Sequence, residues 1–104
     1  MRDLLEQVKS FVERQDIPVL GMAPVSDLEN NSPAGYRPSD LLPAARSLVC
    51  LALPVPKGIF KIQRRDRQTY WRTANIYYRQ IDAYLLQLCR MIEETGETAV
   101  PVFG

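Results

Sequence analysis

Leu4, Leu5, Val8, Phe11 and Val12 recur at the three- and four-residue steps of a helix, with charged residues between them. The spacing predicts a helix over about residues 2–14 whose apolar stripe docks on its own domain. Its acids Asp3, Glu6 and Glu13 speak against an anionic lipid surface as its partner. Asp16-Ile17-Pro18 ends it. Val19 to Val25 is a short apolar run bounded by prolines and reads as a strand. Gly21 within it suggests that another element approaches the backbone closely. Residues 26–38 are rich in Asn, Ser, Pro and Gly and read as loop. Ser39 is placed to cap one or two helical turns, with Asp40 favourable at their positive end.

Ser47 to Leu53 is continuously apolar and stops at Pro54-Val55-Pro56. Its length and that stop predict a strand, and the missing alternation predicts an inner strand covered on both faces. Residues 55–69 then read as a long loop, with Thr69 or Thr73 as a cap for the next element. The strongest signal follows. Tyr77, Ile81, Tyr84, Leu85, Leu88, Met91 and Ile92 mark one face of a helix over about residues 70–95, with Gly96 as its stop. Arg79, Asp82, Arg90 and Glu93 fall on the opposite, polar face. Thr98 to Phe103 reads as a further strand, confined to an edge or a strand end by Pro101. The predicted class is α/β, with α+β as the alternative. It is a small helix-packed sheet containing a right-handed strand–helix–strand unit in one domain, residues 1–104.

Composition narrows the chemistry. The 104 residues contain no histidine, which excludes histidine metal ligands and serine–histidine or cysteine–histidine nucleophiles. Cys50 and Cys89 both sit in apolar runs and form no C-x-x-C pattern, so they read as buried thiols, a disulfide being the alternative. No metal site, P-loop or dinucleotide fingerprint is encoded. Nothing resembles a signal peptide or a membrane span, and a reducing cytoplasm fits best.

The charge is uneven. Between residues 57 and 72, six bases stand against Asp66 alone, a net +5, while the rest of the chain carries −4. This basic stretch begins at the carboxyl end of the 47–53 strand, where open α/β sheets collect ligands. Phe60, Tyr70, Trp71, Tyr77 and Tyr78 interleave with it. Arginine beside aromatic rings suits phosphate, carboxylate or stacked-ring recognition. The candidate ligand-binding residues are therefore Lys57, Arg64, Arg65, Arg67, Tyr70, Arg72 and Tyr78. Asp82 is a weak candidate for a catalytic acid.

The order of RPSDLLPAARSLVCLALPVP, a variable loop and YWRTANIYYRQIDAYLLQLCRMIEETGETAVPV resembles the N-terminal part of epoxyqueuosine reductase-like iron–sulfur proteins, relatives of the reductive dehalogenases. Pro38, Leu42-Pro43, Ala45-Arg46-Ser47, Tyr78, Asp82 and the helix end from Leu88 to Pro101 carry the likeness, which spans about residues 18–103. It implies part of a nitroreductase-like core. It also implies a redox parent holding two four-iron clusters in a later ferredoxin-like segment, and a corrinoid. The chain lacks that segment, follows Asp82 with Ala83, and stops just after a predicted strand. The expectation is an N-terminal cofactor- or substrate-binding fragment of a longer oxidoreductase, inactive alone and encoding no cofactor site of its own. Its partners would be the remainder of the parent chain or a second copy meeting it through an exposed edge or apolar face. The alternative is a small RNA- or anion-binding module working through residues 57–72, or a protein-interaction domain.

Overall fold

A computed structural model describes residues 2–62 and 67–103; the side chains of Arg2, Asp3 and Arg67 also lie outside the description. The described chain is a mixed α/β protein with helices and a two-stranded antiparallel sheet. It divides into two compact units, one of residues 1–18 and 52–104, the other of residues 19–51.

The first unit holds the core. Helix α1 (Arg2–Arg14) packs on helix α4 (Arg67–Glu94). Val8, Phe11 and Val12 of α1 are buried together with Ile17 and with Leu88 of α4, as the helical spacing predicts. The end of α1 is built by the backbone. Asp16 has φ 54°, in the left-handed region. Its N–H donates to Glu13 O at 3.1 Å and the Ile17 N–H donates to Val12 O at 3.0 Å. This is the double closure of a Schellman motif, with buried Ile17 as its apolar lock. The far end of α4 uses Gly96 at φ 97°, whose N–H donates to Glu93 O at 3.1 Å. Between the two helices in the chain, residues Lys57–Lys61 form a 3₁₀ turn that packs against α4. The long loop expected at 55–69 is thus interrupted by this turn, and α4 begins three residues earlier than its periodicity indicates.

The second unit pairs β1 (Val19–Pro24) with β2 (Ser47–Ala52), whose last residue, Ala52, falls in the first unit. The Val25 N–H donates to Arg46 O at 2.8 Å, and the same antiparallel register sets Gly21 opposite Cys50. A Cβ placed on Gly21 would stand 3.8 Å from the Cys50 Cβ, an ordinary contact. The close approach expected from Gly21 is therefore not one that only glycine allows. Two one-turn helices, α2 (Ser26–Glu29) and α3 (Pro38–Leu41), interrupt the loop between the strands. Ser39 lies inside α3 and does not cap it. Its hydroxyl donates to Glu29 Oε2 at 2.6 Å and its N–H to Glu29 Oε1 at 3.2 Å. The capping carboxylate is Asp40, which accepts from the N–H groups of Arg37 and Gly35. Pro38 explains the shift: it fits the first helical position and moves the start upstream of Ser39.

Three expectations change. A two-stranded sheet has no inner strand, so the continuous apolarity of 47–53 does not mean cover on both faces; Cys50 is an exposed thiol. Thr98 to Phe103 has no regular structure, and the right-handed strand–helix–strand unit is not formed. A strand exists only against another strand's edge, and Pro101 removes one of the donors such a ladder needs. Thr69 and Thr73 lie within α4 and do not begin it; the Thr73 hydroxyl donates back to Thr69 O at 2.7 Å.

Candidate functional site

The described candidate residues belong to the first unit. Pro56 O accepts from the Ile59 N–H at 3.1 Å, closing the 3₁₀ turn that carries Lys57 and Phe60. Phe60 meets Tyr70 of α4 edge to face, ring centroids 6.2 Å apart at 64°. Such a pair contributes about 0.5–1.5 kcal/mol beyond its area. It pins the turn to the start of the helix although Phe60 is 66% and Tyr70 51% exposed.

Lys57 and Arg72 are exposed and Tyr78 is 54% exposed. Arg64 and Arg65 lie outside the described residues, as does the side chain of Arg67. Lys57 opens the 3₁₀ turn and Tyr70 lies in the first turn of α4, where Phe60 meets it. Tyr78 stands two helical turns further on and Asp82 three, about 18 Å along the axis from Tyr70. Among the described candidates, Lys57, Tyr70, Arg72 and Tyr78 are exposed. The sequence reading put Asp82 on the polar face, but it is half-buried and is not a free carboxylate.

Trp71, one of the interleaving aromatics but not among the candidate residues, and a line of residues along α4 also belong to this surface. Trp71 is 67% exposed. Along the same helix, Trp71, Asn75, Tyr78, Asp82, Leu85 and Cys89 follow one another at steps of four and three. This line runs beside the stronger core stripe of Tyr77, Ile81, Tyr84 and Leu88. At the far end of that line, burial and then the Glu93 carboxylate push the Cys89 thiol pKa up from its ordinary value. Both cysteines are free. Among the described residues, no group of three or more His, Cys, Asp or Glu side chains is arranged to hold a metal ion. No described helix is long and apolar enough to cross a membrane.

What the fold and surface define is a small mixed α/β protein with an exposed aromatic and basic helix face. Comparison with known proteins finds no matching family model, no matching curated protein and no matching solved structure.

Proposed function

We propose that this chain is the N-terminal cofactor- or substrate-binding part of an iron–sulfur oxidoreductase of the epoxyqueuosine reductase-like type, inactive alone. The ordered motifs from Pro38 to Pro101 support this reading. The observation that carries it is the apolar segment after Gly96, where Val102 is 69% and Phe103 53% exposed in backbone without regular structure. Covering Val100, Val102 and Phe103 would contribute about 2–4 kcal/mol, which the remainder of a parent chain can supply by pairing with this segment. A four-iron cluster takes four thiolates. This chain has two cysteines, one exposed and one half-buried, so its own residues do not fit a cluster. The clusters belong to the parent's remainder. The part left to this chain is contact with an anionic or planar group through Lys57, Tyr70, Arg72 and Tyr78.

The test is to tag the protein at its own chromosomal locus, purify it without oxygen, and measure its mass, iron, acid-labile sulfide and visible absorbance. The expected product is longer than 104 residues and carries iron and sulfide in equal amounts. A native product of this length without iron ends the proposal.

A further inference from the structure

Helix α4 is longer than the helix packed on it. Its 28 residues span about 42 Å, whereas the 13 residues of α1 span about 20 Å. Among the described residues of α4 the buried side chain is Leu88, in the C-terminal half. The stripe around it, Tyr77, Ile81, Tyr84, Leu88 and Met91, advances by alternate steps of four and three. The line from Trp71 to Cys89 does the same, about 100° around the helix. That alternation is the one a helix uses to present a continuous seam to a second helix. Asn75, Asp82, Leu85 and Cys89 of this second seam are half-buried, while Trp71 and Tyr78, both in the N-terminal half, are exposed.

The described charges beside Trp71 and Tyr78 are mostly basic, with half-buried Asp82 one step beyond Tyr78. Lys57, Lys61, Arg72 and Arg79 are all exposed. The first turn of α4 holds no acid and its last turn no base, the reverse of what the helix dipole favours. A second copy meeting this face about a twofold axis would set Arg72 and Arg79 against their own counterparts. A single strand of nucleic acid needs ring faces in close succession. Trp71 and Tyr78 are about 10 Å apart along the axis, and Phe60 meets Tyr70 edge to face. A helix with an apolar seam and acidic flanks meets neither objection.

We infer that the exposed N-terminal half of α4 docks an acidic amphipathic helix of a partner protein. The partner's apolar side chains lie against Trp71 and Tyr78, and its carboxylates against Arg72 and Arg79. This names the partner of the surface described above. It does not rest on the redox reading, and its test requires no iron.

Trp71 is the chain's only tryptophan, so its emission reports on this surface directly. The probes are a synthetic helical peptide with leucine along its seam and glutamate on both flanks, its twin with lysine for glutamate, and polyuridylate. The glutamate peptide should shift the emission to the blue and bind roughly fivefold or more tighter than its lysine twin at low salt. Arg72→Glu with Arg79→Glu should abolish or reverse that preference. Tyr78→Ala should weaken both peptides. These three side chains are exposed, so folding is expected to survive, and circular dichroism checks it. Equal binding of the two peptides, no shift with either, or no effect of Tyr78→Ala overturns the inference. So does a shift produced by polyuridylate alone, or a blue shift of the protein by itself as its concentration rises.

Discussion

Asp16→Gly should stabilise the protein by about 1 kcal/mol. Asp16 sits at φ 54° as the second residue beyond helix α1. An L-residue there costs about 1–2 kcal/mol, somewhat less for aspartate, and glycine removes that cost. Glycine gives back about 0.5–1 kcal/mol through the greater freedom of its unfolded chain. The carboxylate also faces the negative end of the α1 dipole, and losing it contributes about 0.3–1 kcal/mol. The three closing hydrogen bonds, from Gln15 N to Phe11 O, Asp16 N to Glu13 O and Ile17 N to Val12 O, are all backbone bonds and survive. Asp16→Asn keeps a side chain that tolerates the left-handed region and removes only the charge, so its gain should be about 0.3–1 kcal/mol. Asp16→Val places a β-branched residue at positive φ and should lose about 1 kcal/mol or more. Urea unfolding followed by far-ultraviolet circular dichroism measures the series, with equal slopes required for comparison. The order expected is Gly, Asn, wild type, Val. Asp16→Gly no more stable than wild type would refute the backbone account. Asp16→Asn equal to Asp16→Gly would leave charge as the whole cause.

Leu88→Ala should cost about 3–4 kcal/mol in the same assay, because Leu88 is 2% exposed in a core of few buried side chains; Leu86→Ala, two residues away and exposed, should change stability by no more than about 0.5 kcal/mol. Ser39→Ala removes the 2.6 Å hydroxyl bond to Glu29 and should lower the protection of amides in residues 26–41 from hydrogen exchange by about tenfold, leaving those of α4 unchanged. Toward a soluble disulfide reagent at neutral pH, Cys50 in a Cys89→Ser variant should react faster than Cys89 in a Cys50→Ser variant. The thiolate is the reactive form and the Cys89 pKa is raised, so its rate should keep climbing at pH values above the ordinary thiol range; equal rates and equal pH profiles would contradict the burial of Cys89.

The helices were legible along the chain because their signal is local. The apolar stripes of α1 and α4 repeat every three or four residues, and that repeat alone places Val8, Phe11, Val12 and Leu88 on buried faces. Gly96 announced the end of α4 because only a residue free of Cβ adopts φ 97° without strain. Asp16 gave no comparable warning: an aspartate closes helix α1 because the Schellman hydrogen bonds and buried Ile17 compensate its strain. The basic, aromatic surface was half legible. Its residue types stand in the sequence, but their spread along one helix, and the exposure of Trp71, follow from α1 being too short to cover α4.

The strands show the opposite limit. The run from Ser47 to Ala52 announces an apolar strand, and the run from Thr98 to Phe103 announces another almost as well. Only the first is one, because β1 lies beside it. Cys50 and Cys89 look alike in sequence, yet one thiol is exposed and the other half-buried. A long helix satisfies its backbone within itself, so sequence determined where α1 and α4 form and which face each turns to the core. A strand and a buried thiol need neighbours that are distant in the chain, and only the tertiary structure decides whether those neighbours arrive.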